Sequence, residues 1–328
     1  MVKTIKKIGV LTSGGDSPGM NAAIRSVVRT CAYHNILCVG IYRGYQGMIE
    51  GDFVEMGARS VHNLINKGGT ILKSARSKDF RTPEGRKKAY EALVKEGVDA
   101  LVVIGGDGSF TGAEVFNNEY DFPVMGIPGT IDNDIFGTSH TLGYDTALNT
   151  VIDCIDKIRD TASSHNRLFF VEVMGRDAGH IALNAGIGGG AEEVLIPEEE
   201  LGLERLLESL KKSKAAGKSS SIVVIAEGDK IGKNVFELKD YVEANLPEYE
   251  IRVSVLGHMQ RGGAPSCYDR VLASRLGVKA VESLLEGKSN FMVGMLNDNI
   301  SLTPLEQAIK GHTEIDRELL RVSEIMSI

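Results

Sequence analysis

The sequence predicts an α/β protein of two lobes with mostly parallel sheets, and three observations carry that expectation. Short apolar runs recur with helical periods between them. Several of those runs are continuously apolar rather than alternating, the pattern of strands covered on both faces. A length of 328 residues with 42% apolar content suffices for more than one sizeable core, and length alone favours two domains. Strand–helix alternation of this kind implies parallel strands joined by right-handed crossovers.

Taken in order, Ile8–Leu11 reads as the first strand and Met20–Cys31 as the helix after it. Ser17 has the chemistry of an N-cap, and Pro18 suits a first helical position, where its missing N–H is harmless. Between strand and helix lies Thr12-Ser13-Gly14-Gly15-Asp16. Its glycines would let a ligand approach backbone N–H groups at the positive end of that helix. Neither G-x-G-x-x-G nor G-K-[ST] is present, so on its own the loop is as consistent with a plain turn as with phosphate binding.

Further strands are expected at Leu37–Ile41, Ala100–Ile104, Val124–Ile127, Leu168–Val173, Ile222–Ala226 and Ile251–Leu256. Helical periods cover Glu84–Glu96, Asp145–Ala162, Leu203–Ala215 and Arg270–Leu285. The polar stretch Lys211–Ser221 reads as a helix end and loop. A weak echo links Gly14-Gly15-Asp16-Ser17 to Gly105-Gly106-Asp107-Gly108-Ser109, but glycine is common at any strand-to-helix turn.

The balance of charge, −7 at neutral pH, argues against nucleic acid or an anionic membrane as partner. No run approaches the roughly 20 apolar residues of a membrane span. Four scattered cysteines, without a C-x-x-C pair or clustered histidines, fit reduced thiols in a cytoplasmic protein. The N-terminal residues show no signal-peptide pattern.

Three groups of residues carry chemistry. Pro128-Gly129-Thr130-Ile131-Asp132-Asn133-Asp134 places two carboxylates on a turn at the C-terminal edge of a strand, where open α/β sheets bind ligands. Such a carboxylate can take a proton, hold a metal or solvate the turn. In Gly105–Ser109, a glycine pair offers backbone access, and Asp107 offers a hard oxygen suited to a Mg²⁺–polyphosphate. Arg76, Arg176 and Arg261 recur near strand ends and could grip phosphates. Each alone could equally be a surface ion-pair residue.

Together these motifs closely resemble bacterial ATP-dependent 6-phosphofructokinases, from about residue 6 to residue 287. The landmarks are Gly14-Gly15-Asp16, Gly105–Ser109, Pro128–Asp134, Met174-Gly175-Arg176, Gly257–Gly263 and Asp269-Arg270. The resemblance implies two Rossmann-like three-layer lobes in the phosphofructokinase fold. The larger, ATP-binding lobe would span 1–141 and 257–304, and the smaller sugar-phosphate lobe 142–256 and 305–328. Asp132 would be the base that accepts the proton of the 1-hydroxyl of fructose 6-phosphate, assisted by Thr130, Arg76 and Arg176. Gly15, Tyr45, Arg76, Ser77, Gly106, Asp107, Gly108 and Ser109 would hold ATP, with Asp107 and Asp134 toward Mg²⁺.

Thr130, Ile131, Asp132, Met174, Gly175, Arg176, Glu227, His258, Met259, Gln260 and Arg261 would bind the sugar phosphate. Arg167 and Arg252 match arginines that a neighbouring subunit supplies, which implies a homo-oligomer, typically a tetramer. An effector site for ADP or phosphoenolpyruvate would use Arg25, Arg29, Arg59, Arg159, Gly190, Glu192 and Lys218. Here Ala58-Arg59-Ser60 replaces a more usual Arg-Tyr/Phe-Ser, and Ala216, Ser219 and Ser220 stand where some relatives carry Lys, Lys and His. Fewer cations would weaken an anionic effector.

A pyrophosphate-dependent branch of the family usually has Asp at the place of Gly108 and Lys at that of Gly129, so the glycines here favour ATP. Two rivals are a GGDG-type kinase with another acceptor and a nucleotide sensor without turnover. The first would not be expected to carry Pro128–Asp134 and Gly257–Gly263 as well, and Asp132, Asp107 and Arg176 argue against the second, since a pure binder has no use for a base.

Overall fold

All seven expected strands form, each within a residue of its expected bounds; most are buried from both sides, while Glu250–Val255 buries only Ile251. The computed structural model describes residues 4–163, 167–199, 203–217, 221–228, 234–311 and 313–327. The chain divides into two compact units. One comprises residues 1–131, 135–146 and 261–313, and the other 132–134, 147–260 and 314–328.

The chain begins with β1 (Lys7–Thr12), α1 (Met20–Tyr33), β2 (Leu37–Ile41), α2 (Gly44–Glu50) and β3 (Phe53–Met56). It continues through α3 (Pro83–Glu96), β4 (Ala100–Gly105), α4 (Asp107–Tyr120) and β5 (Val124–Pro128). α3 shows why such segments turn helical: Thr82 caps its start by accepting from the Gly85 N–H, Pro83 takes the first turn, and left-handed Gly97 ends it. α5 (Tyr144–Ser163) leads into β6 (Arg167–Val173), α6 (His180–Gly188), β7 (Glu193–Leu195) and α7 (Leu203–Ala215). Then come β8 (Ser221–Ala226), α8 (Val235–Asn245) and β9 (Glu250–Val255). The return consists of α9 (Cys267–Leu285), β10 (Phe291–Leu296), β11 (Asn299–Pro304) and α10 (Leu305–Lys310), before the terminal α11 (Arg317–Met326).

The first unit holds a seven-stranded sheet in the order β11-β10-β5-β4-β1-β2-β3. Its five inner strands pair in parallel, while β3 and β11 join antiparallel at the edges. Every residue of β4 and β5 is buried. α1 and α9 cover one face of this sheet with Met20, Ile24, Val27 and Val28 against Leu272, Leu276 and Ala280. Tyr45, Phe80, Phe110 and Phe116 fill the other. The second unit has a four-stranded, wholly parallel sheet, β7-β8-β6-β9, whose apolar side packs on α7 and α8.

One local expectation is corrected. Ser17 does not cap α1 and Pro18 does not lie inside it. The helix starts at Met20 behind left-handed Gly19, with no side-chain cap. Ser17 is instead buried against Gly143, where an added Cβ would stand 2.7 Å from that of Ser17, so tertiary packing holds the segment outside the helix.

Candidate active site

In the first unit, the adjacent parallel strands β1, β4 and β5 end side by side, so the three loops singled out in the sequence meet at one sheet edge. Ser13 N–H donates to the Ile104 carbonyl at 2.9 Å, and Gly129 N–H to the Gly105 carbonyl at 2.9 Å. Gly105 is required there: a Cβ would lie 2.5 Å from both the Ser109 hydroxyl and the Ser13 carbonyl. Asp107 opens α4 directly after Gly106 and is exposed, and a Cβ on Gly108 would meet nothing within 4 Å. A carboxylate in the first turn also suits the helix dipole. Gly15 lies against Arg261, whose Nη1 donates to the Asp16 carbonyl at 3.2 Å. Among the described residues no group of three or more His, Cys, Asp and Glu side chains is arranged to hold a metal.

Tyr45 is buried beside this edge. Its hydroxyl donates to the Ser109 carbonyl at 2.5 Å, and its ring stacks on Phe80 at 4.1 Å and 11°. Burial pushes its phenol well above the ordinary range, so it stays protonated as a donor. Ser77 accepts from Phe80 N–H and donates to Gln46. Arg76 is exposed beside it. Phe80, which supports Tyr45, was not picked out from sequence, and its only signal was an apolar residue in an otherwise charged stretch.

After β5, Thr130 is buried and its carbonyl accepts from the Thr141 hydroxyl at 2.6 Å. Asp132 is 7% exposed and is followed by Asn133 in a left-handed backbone conformation (φ 55°). Asp134 is half-buried, and Ile131 is fully buried. The buried Asp269 fastens the following segment: it accepts from Gly143 N–H, Thr146 N–H and the Thr146 hydroxyl. Burial nonetheless lifts its carboxyl above the ordinary range, outweighing those hydrogen bonds.

The second unit builds its own edge from β8, β6 and β9. Arg176 follows β6 with a left-handed backbone (φ 59°), and its N–H donates to Glu227 Oε1 at 2.8 Å. A Cβ on Gly228 would stand 2.0 Å from the Arg176 carbonyl, so only glycine lets that loop close on Met174-Gly175-Arg176. Gln260, fully buried, accepts from Met174 N–H at 3.3 Å and donates to the Gly257 carbonyl. His258 and Met259 are exposed on the same short turn, and the Arg176 side chain is 73% exposed. Burial first, then the Glu227 charge, raises the Glu172 carboxyl.

Arg167 and Arg252 are not at this edge. Both pair with Glu250, at the opposite ends of β6 and β9. Arg167 stands six positions before Val173 along β6, about 20 Å away.

The expected effector residues fall into two groups. Arg25 and Arg29 line a cavity of about 780 Å³ in the first unit with His62, Asn63, Asn66, Lys67 and Arg270. Burial and then the neighbouring Arg29 lower the Arg25 pKa. Arg59 is exposed and does not line this cavity. In the second unit, Arg159 donates to the carbonyls of Gly189 and Gly190 at 2.6 Å, with Glu192 4.0 Å away. Lys218 lies outside the described residues.

A family model described as phosphofructokinase matches residues 7–284. The chain is 52% identical over 325 residues to an "ATP-dependent 6-phosphofructokinase 2" of Bacteroides thetaiotaomicron, covering 99% of each. It is also 53% identical to an "ATP-dependent 6-phosphofructokinase" of Cytophaga hutchinsonii, covering 98% of this chain and 97% of that one. Among solved structures, a phosphofructokinase from Saccharomyces cerevisiae superposes with a TM-score of 0.89 at 36% identity. That match covers 98% of this chain and 48% of the yeast chain, so the present chain spans about half the yeast length.

Proposed function

Since the chain belongs to the phosphofructokinase family, we propose that it transfers the γ-phosphoryl group of ATP to the 1-hydroxyl of fructose 6-phosphate. The products are fructose 1,6-bisphosphate and ADP. The observation that carries this reading is the convergence of the loops after β1, β4 and β5 on one sheet edge, with Asp132 directly following.

In this reading the first unit holds ATP. Backbone N–H groups of Gly15 and Gly106–Ser109 receive the phosphates, Tyr45 and Ser77 lie on the adenine side, and Arg76 supplies charge. Exposed Asp107 at the start of α4, with Asp134, fits a hard divalent ion that keeps waters and phosphate oxygens as its other ligands. Mg²⁺ bound there would neutralise charge on the transferring phosphates. The second unit holds the sugar phosphate through Arg176, Glu227, His258 and the backbone of Met174–Gly175.

Asp132 takes the hydroxyl proton as the oxygen attacks, and Thr130 positions the acceptor. Phosphoryl transfer asks for alignment and charge neutralisation rather than a covalent intermediate. Arg76 and Arg176 meet the charge that develops on the transferring group. Arg167 and Arg252, at the far end of their strands from Arg176, serve a neighbouring copy, and the active form is a homotetramer.

Two positions support ATP over pyrophosphate. The space around Gly108 is open for a nucleotide, and a side chain at Gly129 would press within 3.1 Å of Ile104 and Met20. A coupled assay tests the donor and acceptor together. Fructose 1,6-bisphosphate should form from fructose 6-phosphate with ATP. Turnover with pyrophosphate alone, or none with either donor, would overturn the reading.

The cavity lined by Arg25 and Arg29 takes an anionic effector such as ADP or phosphoenolpyruvate. His62, Asn63, Asn66, Lys67 and Arg270 supply polar groups there that Arg59 does not. Saturation curves for fructose 6-phosphate should shift with one of the two effectors and lose that shift in Arg25→Ala.

A further inference from the structure

Asp269, in the first turn of α9, is a carboxylate with no exposed surface, and it is bonded to the start of α5. Its Oδ1 accepts from Gly143 N–H at 2.9 Å. Its Oδ2 accepts from Thr146 N–H at 2.9 Å and from the Thr146 hydroxyl at 2.5 Å. α5 returns the contact: Thr146 Oγ1 accepts from Ser266 N–H at 2.9 Å, and the Ser266 hydroxyl bonds to Asp145 Oδ2 at 2.5 Å. Ser266 in turn caps α9 by accepting from Asp269 N–H. Each helix thus meets donors that the other leaves unpaired at its first turn.

The segment just ahead of this joint grips the turn that leads to Asp132. Leu142 N–H donates to the Pro128 carbonyl at 2.8 Å, and Leu142 forms a parallel bridge with Gly129. The Thr141 hydroxyl donates to the Thr130 carbonyl at 2.6 Å. Gly143 has a left-handed backbone (φ 97°), and a Cβ there would stand 2.7 Å from the Ser17 Cβ and 2.9 Å from the Pro18 Cδ. Residues 141–143 therefore hold the backbone of 128–130, and Gly143 is itself packed on Ser17–Pro18 and bonded to Asp269. Two helix starts that merely capped each other would need no such continuation into the turn.

We propose that Asp269 is a positioning residue for phosphoryl transfer. It fixes the start of α5 so that Thr141 and Leu142 hold Thr130, and with it Asp132 two residues on in the chain, where the acceptor hydroxyl needs them. Asp269 acts through Thr130 and Asp132 rather than on a substrate, so the proposal rests on the function given above. Proton acceptance and in-line attack tolerate little displacement: about 1 Å of misplacement can cost about 10²-fold in rate.

Asp269→Asn keeps the shape and removes one acceptor. Whichever way the amide turns, its NH2 faces Gly143 N–H or Thr146 N–H, and two donors cannot bond. Thr146→Val removes only the hydroxyl, and Thr146→Ser restores it. Binding of a non-hydrolysable ATP analogue counts folded sites in each variant, and a coupled assay with both substrates saturating gives turnover per counted site. Asp269→Asn should lose about 10–100-fold in kcat per site with analogue affinity unchanged. Thr146→Val should lose several-fold, and Thr146→Ser should match wild type. Fewer sites that each turn over at the wild-type rate would show a joint that only supports folding, and would overturn the proposal. A matching loss of analogue affinity would also overturn it, by showing distortion beyond the Asp132 turn. Should Asp269→Asn not fold, the Thr146 pair decides, and wild-type turnover per site in Thr146→Val sinks the idea. A wild-type protein that makes no fructose 1,6-bisphosphate would instead bring down the functional reading, and this proposal with it.

Discussion

The sheet edge of the first unit and that of the second are built from different materials. The first is built from main chain. Its three loops lie so close that Gly105 has no room for a Cβ, and the Tyr45 hydroxyl bonds to the main-chain carbonyl of Ser109. The second is built from side chains: Arg176, Glu227, His258 and Gln260 follow the strand ends, and the tight glycine Gly228 serves to set Arg176 in place. A triphosphate spreads its charge along several groups and suits a row of N–H donors at a helix start. A sugar monophosphate concentrates its charge and suits discrete cations and hydroxyl partners.

The contrast can be broken, beginning with the largest effect. Asp132→Asn should lower kcat by about 10²–10⁴-fold, the range of general-base catalysis, with KM for either substrate little changed. Steady-state kinetics at matched substrate saturation measure it, and a kcat near wild type would remove Asp132 from the chemistry. Next, Arg176→Ala should raise KM for fructose 6-phosphate by about 10–100-fold, the worth of a charge-assisted hydrogen bond, while KM for ATP holds. Equal changes in both would show that the second edge is not specific to the sugar phosphate.

Gly105→Ala should do the reverse. Its Cβ forces the Ser13 and Ser109 loops apart, so KM for ATP rises, KM for fructose 6-phosphate holds, and stability falls by about 1–3 kcal/mol, as for other overpacked sites. Urea unfolding alongside kinetics reads both parts.

The smallest effect concerns a property the two units share. His140 in the first and His180 in the second are both held below the ordinary histidine pKa, chiefly by burial. A depressed folded pKa gives stability that is present above the unfolded value of 6.5 and lost as pH falls through the folded one. Urea midpoints should therefore drop between about pH 7.5 and about pH 5.5, the window in which histidine charges. The drop should shrink in the His140→Asn/His180→Asn double variant, and an unchanged drop would assign the acid sensitivity to other groups.

How far these features were legible in sequence follows from their physics. Strands such as Ala100–Gly105 and Ser221–Ala226 announce themselves because continuous apolar runs have few other destinations. β7 is three residues long, and β10 and β11 are interrupted by Gly294 or bounded by Asn297–Asn299, so their patterns were too short or too broken to read. The glycine loops were visible because phosphate-compatible turns constrain composition locally. The cavity was only half visible. Arg25 and Arg29 share one helix face at i, i+4 spacing, but Arg270 comes from the far end of the chain. It arrives because α9 packs closely on α1, with the Ser26 hydroxyl donating to the Ser274 carbonyl at 2.7 Å and Gly277 against Ser26. Pairing at that range is a tertiary fact. The Ser17 cap failed for the same reason, since local propensity lost to packing against Gly143.

The left-handed backbone of Arg176 has a consequence for how this protein can change. A side chain in that conformation costs roughly 1–3 kcal/mol that glycine would avoid. Arg176→Gly therefore removes strain at the moment it removes the cation. Variants chosen only for heat resistance would accumulate glycine at this position and, on the proposed role of Arg176, lose turnover together with it. A library screened for stability and activity separately would find the two scores pulling hardest against each other at residue 176.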